Sequence, residues 1–283
     1  ADLNYDNKEL RKEMTADMLH WIKNENIDGF RCDVASNVPL DFWQQAIPQL
    51  RKEKDIFMLA EAWEPELLKD GLFDMAYGWE VHHTMNRIAQ GKNTVKDWDK
   101  LMEENANKYE SNDILMSFVD NHDENSWNGT IKGRLGKGEE AMTALSYVMP
   151  GMPLIYSGNE YGLNHSLKFF EKDSIPKTKG KDWELRAKLG KLKTENTALN
   201  GGKNKAKYTR IKTDDDTNIL AFTRENEGKK VVYIANFSNN PIKTKVEIKG
   251  EFTNYMTGEK MKLNEKQIFS IEPWQYYILT EKN

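Results

Sequence analysis

Three short segments carry acids where chemistry could occur: Gly29-Phe30-Arg31-Cys32-Asp33, Met58-Leu59-Ala60-Glu61-Ala62-Trp63 and Phe118-Val119-Asp120-Asn121-His122-Asp123. Each opens as an apolar β-run and closes on a carboxylate, so each acid is expected at a strand end. One such acid is common. Three in one chain, the second beside a Trp and the third preceded by His, imply a shared pocket. Paired carboxylates suit cleavage of a glycosidic bond: one attacks or stabilises the sugar carbon, and the other protonates the leaving oxygen.

Asp33 is the candidate nucleophile. A nucleophilic carboxylate must stay ionised, which calls for a cation or hydrogen-bond donors nearby. Arg31 lies two residues away, on the same face of an extended strand. A structural Arg–Asp pair would read the same way. Glu61 is the candidate general acid/base; that role favours a less polar setting, and Ala60, Ala62 and Trp63 are its apolar neighbours in sequence. Asp123 is the third acid, with His122 as its partner toward substrate, although Asn-His-Asp can equally form a turn with side-chain caps. Trp63, Trp127 and Tyr161 follow these segments and could be sugar-stacking platforms or core aromatics. The long loop 165–181, with Phe169 and Phe170, lies on the same side. His82 and His83 fall on a helix with no motif and read as structural. Cys32 alternates with its neighbours on the strand and reads as a small buried apolar residue.

The elements that must position these groups follow from periodicity. Helical spacing runs over 7–24, 40–50, 80–90, 95–109, 139–149 and 183–195, with a helical turn at 66–69. Apolar strands are expected at 30–34, 56–60, 72–77, 114–119 and 154–156. Continuous apolar strands alternating with amphipathic helices predict a parallel sheet covered by helices. Asn200-Gly201-Gly202 marks a boundary. Beyond it, strand-like runs at 218–224, 230–237, 243–248 and 269–279 are separated by turn residues, an all-β pattern. The expected domains are therefore 1–199, α/β, and 200–283, an antiparallel β-sandwich.

Composition narrows the partners. The 283 residues carry 41 basic and 45 acidic side chains, a net charge of −4, so no basic excess points to nucleic acid. The lysines at 177–181 and 203–207 read as solvated loop charge. No apolar run is long enough to span a membrane. A single cysteine excludes an internal disulfide and says little about compartment; an extracellular or periplasmic setting is favoured over a cytoplasmic one. No His/Cys cluster indicates a transition metal.

On the three acidic segments, and on Gly151-Met152-Pro153-Leu154-Ile155-Tyr156-Ser157-Gly158-Asn159-Glu160, the chain resembles the α-amylase family of glycoside hydrolases. The four segments are similar to the family's fourth-, fifth-, seventh- and eighth-strand motifs, in order. The resemblance implies Asp33 as nucleophile, Glu61 as acid/base and Asp123 as the acid that binds sugar hydroxyls and steadies the transition state. It implies an α-glucan or maltooligosaccharide substrate, with transfer to another sugar, or mere carbohydrate binding by an inactive piece, as alternatives. A closed barrel of this type has eight strands, whereas five βα strands are read here. The segment 2–7 resembles the lead into the helix after the third strand. The expectation is a partial (β/α)8 barrel, strands four to eight, followed by the sandwich, in a chain that is processed or cut. Such a piece is expected to associate through its incomplete barrel and to hydrolyse starch weakly or not at all. No cofactor is certain. Calcium stays open for a full-length enzyme, but the inserted domain that supplies ligands in the family has no counterpart. Ser36 and Asn37 stand where many members have a basic residue or His.

Overall fold

In a computed structural model, residues 3–265 and 267–281 are described; Asp2 of the opening segment lies outside them. The chain divides into two compact units, residues 1–78 with 113–116, and residues 79–112 with 117–283.

The first unit begins with α1, Lys8–Glu25, whose N-terminal amides at Glu9 and Leu10 are capped by the Asn7 side chain. Asn26 ends it in the left-handed conformation, at φ 53°. Strand β1, Gly29–Cys32, follows, then α2, Leu40–Glu53, entered through Pro39. Helix α2 buries Phe42, Trp43, Ala46, Ile47 and Leu50 on one face. Strand β2 is Phe57–Ala60, β3 is Met75–Tyr77, and β4 is Ile114–Ser117. All pair in parallel, with Gly29 opposite Phe57, Cys32 opposite Ala60, Ala76 opposite Ala60 and Tyr77 opposite Met116. A β-carbon at Gly29 would lie 1.9 Å from the Phe57 carbonyl oxygen, so only glycine allows β1 and β2 to approach there. The Asp28-Gly29 pair thus does more than break α1: it starts the sheet.

In the second unit, α3 is Trp79–Ala89, α4 is Val95–Lys108, α5 is His122–Trp127, α6 is Ile131–Leu135 and α7 is Glu139–Val148. The two-residue strand β5, Met152–Pro153, follows, then α8, Lys181–Glu195. The Leu154 amide donates to the carbonyl of Ser117, the last residue of β4, and the sheet order is β1-β2-β3-β4-β5. The fifth strand therefore falls before the 154–156 run expected for it, and it is short because Pro153 has no N–H to extend a ladder. The third strand is also shorter than 72–77, since Pro65–Gly71 forms a 3-10 segment and Leu72 caps it.

The antiparallel part comprises β6 (Lys207–Arg210), β7 (Ile219–Asn226), β8 (Lys229–Asn236), β9 (Ile242–Lys245), β10 (Gly250–Asn254), β11 (Lys260–Leu263), β12 (Ile268–Ile271) and β13 (Tyr276–Glu281). One sheet runs β11-β10-β13-β8-β7-β6 and a second pairs β12 with β9. The β7–β8 hairpin turns through Glu227 and Gly228, both at positive φ (50° and 73°), as a two-residue turn requires. Strands β7 and β8 are buried on both faces. Leu220, Phe222, Val231 and Tyr233 join the helical core with Trp98 and Leu145, while Ile219, Ala221, Val232 and Ile234 join the core against Phe269 and Ile271. The chain is thus a parallel sheet with helices, a partial barrel, followed by an antiparallel β-sandwich.

Candidate active site

In the first unit the backbone brings two acids together. Asp33 and Glu61 each follow the last residue of neighbouring strands β1 and β2. The Glu61 amide donates to the Cys32 carbonyl (3.0 Å) and the Ala35 amide donates to the Glu61 carbonyl (3.1 Å), so the strand pairing extends through both acids. Val34 takes a left-handed turn, φ 42° and ψ 48°, costly for a β-branched residue. That turn aims its amide at Glu61 Oε2, 2.7 Å away.

One guanidinium joins the two carboxylates. Arg31 Nη1 pairs with Asp33 Oδ1, Arg31 Nη2 lies 3.1 Å from Glu61 Oε1, and Arg31 Nε donates to the Tyr77 hydroxyl (3.1 Å). Burial opposes the charge on Arg31, but hydrogen bonds to Tyr77 and Asp33 outweigh it and push its pKa further up. The guanidinium stays charged. The Asp33 side chain is 73% exposed and that of Glu61 17%, so one is open to attack a ligand and the other is held. Ala60 and Ala62 flanking Glu61 are buried, yet its carboxylate receives Arg31 and an amide, a more polar setting than its sequence neighbours predict. Cys32 is buried on the other face, and burial pushes its thiol up to about 12. Trp63 is 51% exposed.

In the second unit, Asp123 stands in the first turn of α5 rather than at a strand end. Asn121 Oδ1 accepts from the amides of Asp123 (3.0 Å) and Glu124 (2.7 Å), capping the helix and fixing where Asp123 sits. His122 Nε2 lies 3.4 Å from Asp123 Oδ2, both half-exposed. Tyr156 is shifted upward by burial, then by the charges of Asp120 and Asp123. Tyr161 lies against the Trp183 ring, centroids 5.6 Å apart, so that ring is already engaged. Trp127 is exposed at the end of α5.

Beneath α5 is a buried polar network that sequence reasoning missed. Arg134 Nη2 donates to Asp120 Oδ1 (2.7 Å) and the Val119 carbonyl (3.0 Å), and Asn125 and Asn159 reach the other Asp120 oxygen, each at 3.4 Å. Burial pulls Asp120 upward and Arg134 downward, toward their neutral forms, while their mutual attraction opposes both. His82 is buried and stacked on Phe118; its Nδ1–H donates to the Phe118 carbonyl (3.0 Å) and its Nε2 lies 3.0 Å from Glu124 Oε2. Burial alone would raise Glu124, but the bond to His82 and the charge of Arg134 hold its carboxyl below the usual range. His82 is thus a structural residue, as its helix position predicts. His83 is half-exposed, and burial shifts it downward. Asp120 lies within a visible acidic segment and Glu124 directly follows it, whereas Arg134, 14 residues from Asp120, and His82, 36 from Phe118, carry no local mark.

Among the described residues no group of three or more His, Cys, Asp or Glu is arranged to hold a metal ion, and no helix is long and apolar enough to cross a membrane.

Comparison with known proteins bears on both regions. The family model described as "Alpha amylase, catalytic domain" matches residues 1–238, and the "Alpha amylase, C-terminal all-beta domain" matches residues 211–279. Alpha-amylase MalA of Haloarcula japonica is 21% identical over 262 residues, covering 92% of this chain and 38% of that protein. The intracellular maltogenic amylase of Bacillus subtilis is 28% identical over 258 residues, covering 84% and 41%. The crystal structure of the noncanonic maltogenic alpha-amylase AmyB from Thermotoga neapolitana superposes with a TM-score of 0.88 at 22% identity, covering 99% of this chain and 67% of that one. The chain spans about two fifths of the length of these two curated relatives.

Proposed function

The chain belongs to the alpha-amylase family, and we propose that it is part of a retaining glycoside hydrolase that cleaves α-glucosidic bonds of starch-like glucans or maltooligosaccharides. The observation that carries this reading is the pair Asp33 and Glu61, at the ends of hydrogen-bonded parallel strands and bridged by the one guanidinium of Arg31. Carboxylates held this way suit the short separation, about 5 Å, of retaining enzymes.

Asp33 attacks the anomeric carbon, and the bond to the leaving oxygen breaks as Glu61 delivers a proton to it. The resulting glycosyl ester on Asp33 is opened by water, whose proton returns to Glu61. Arg31 pairs with Asp33 and orients its carboxylate for attack. The family resemblance assigns to Asp123, with His122 beside it, the role of binding sugar hydroxyls and steadying the transition state. The exposed rings of Trp63 and Trp127 contact sugar, whereas Tyr161 is engaged by Trp183. Transfer to a sugar in place of water uses the same residues, and the products formed from maltoheptaose separate the two outcomes. In this reading residues 1–199 belong to the catalytic barrel and 200–283 to the C-terminal domain, and the barrel part associates through a free strand edge.

Proton NMR of the first product released by the enzyme of which this chain is part tests the assignment. Retained α configuration is expected. An initial β product would remove Asp33 from the nucleophile's role.

A further inference from the structure

Helix α5 begins with His122 and Asp123 and ends with Trp127. Four residues, about 6 Å of helical rise, separate Asp123 from Trp127. The Trp127 indole is 60% exposed and meets two further exposed rings, Phe169 (50%) and Phe170 (85%). Ring centroids are 5.0 Å apart for Trp127–Phe169, 6.3 Å for Trp127–Phe170 and 4.8 Å for Phe169–Phe170. The ring planes differ by 45°, 68° and 72°, so the surface they make is bent rather than flat.

The backbone that carries these rings is tied down. Asn125, buried within α5, accepts from the Leu167 amide (2.8 Å) and donates to the His165 carbonyl (3.4 Å). Ser126 Oγ donates to the Leu167 carbonyl (3.2 Å). Beyond the rings, Asp173 accepts from the amides of Lys168 (3.0 Å) and Ser174 (2.7 Å). Phe169 and Phe170 are therefore bracketed by fixed points, two of them on the helix that carries Asp123. Exposed aromatic surface is unfavourable in water, and holding it open by hydrogen bonds on both sides indicates an occupant.

The size of the patch selects that occupant. Three rings exposed to this extent present on the order of 400 Å², well short of the roughly 800 Å² per partner of a stable protein interface. A sugar chain fits better. The apolar C–H faces of pyranose rings pack on aromatic faces, while hydroxyls remain in reach of polar groups such as the Lys168–Glu171 pair beside the rings.

We propose that Trp127, Phe169 and Phe170 form a binding subsite for an α-glucan chain, carried on helix α5, which also bears Asp123, and on the loop that Asn125 ties to it. The subsite rests on the substrate class given above. To the sugar contact already assigned to Trp127 it adds Phe169 and Phe170 as specificity determinants, which favour chains of several glucose units over short ones.

Affinity electrophoresis of the 283-residue chain through gels containing amylopectin, with maltoheptaose titrations followed by intrinsic fluorescence, tests it. Phe170→Ala and Trp127→Ala should each weaken apparent affinity about three- to tenfold, the range for loss of one aromatic contact. Thermal unfolding should be unchanged, since both rings are exposed. Affinity unchanged in both variants, but lost in Trp63→Ala, would overturn the subsite and leave the substrate class standing. Absence of retardation for the unmutated chain would defeat the substrate class and the subsite together. If Phe170→Ala instead reduces the mass measured by light scattering with glucan affinity unaltered, the rings are a contact between copies and the proposal is wrong.

Discussion

Two carboxylates sharing one arginine are chemically distinct because their other contacts differ. Asp33 has one cationic partner and is otherwise open, whereas Glu61 is mostly covered and is also fixed by the Val34 amide. An open carboxylate can approach a sugar carbon, and a held one can address a leaving oxygen at a fixed position. The two substitutions should therefore fail differently in the enzyme that contains this chain. Asp33→Asn should abolish the glycosyl-enzyme on every substrate. Glu61→Gln should cost about 10²- to 10⁴-fold with poor leaving groups, the usual contribution of a general acid, and far less with a glycosyl fluoride, which departs without a proton. Steady-state rates on the two substrates measure this, and equal losses on both would take the acid role from Glu61.

The elements that hold these residues differ in how plainly they are written. Helices α1 to α4, α7 and α8 lie within a few residues of the spans predicted, because each is long enough for one apolar face to show in the spacing. Strands β1 and β2 and the residues ending them are equally plain, since Asp28-Gly29 and the alanines around Glu61 bound short apolar runs. Helices α5 and α6, of six and five residues, were not legible. They are under two turns long, too short for a period to register, and they exist because Asn121, Thr130 and the buried Arg134 network satisfy their ends. That is why Asp123, expected at a strand end, stands in the first turn of a helix. Helix α8 gives a second case. A lysine in a last turn commonly complements the helix dipole from solvent, and Lys193 stands in the last turn of α8. It is instead half-buried, its Nζ donating to the carbonyls of Gly151 and Leu199, each at 2.7 Å. Burial, then the nearby Arg224 charge, lowers its pKa to about 7. The unfolded chain holds this proton up to about pH 10.4, so between pH 7 and 10 the unfolded state binds more protons and stability rises with pH. Below pH 7 both states are protonated and the gain is absent. Lys193→Met should flatten this rise. Urea unfolding midpoints of both proteins at pH 7 and 9.5 measure it, and parallel shifts in the two would refute the assignment.

At the scale of the whole molecule, the parallel sheet has an unpaired side. Strand β1 pairs with β2, and no strand pairs with its other edge among the described residues. A closed parallel barrel leaves no such edge, and an open one presents free amides and carbonyls along the strand. Strand β1, Gly-Phe-Arg-Cys, has no proline or lysine, and its one charge, Arg31, is engaged by Asp33 and Glu61. Apolar side chains near the strand ends are also half-exposed, Val34 at 43% and Phe57 at 40%. The relatives it matches are longer, this chain covering 67% of one solved structure. We therefore expect the 283-residue chain, when prepared alone, to associate with itself, and β1 to be the strand that does so. Light scattering after size exclusion should give a mass above 32.9 kDa that rises with protein concentration. Hydrogen exchange should show the amides of residues 29–32 becoming more protected over the same range, while those of the central hairpin strands β7 and β8, already paired on both sides, stay constant. The two measurements guard each other. A rising mass with β1 amides unchanged would locate association elsewhere, and a concentration-independent mass of 32.9 kDa would show that this edge is tolerated in water.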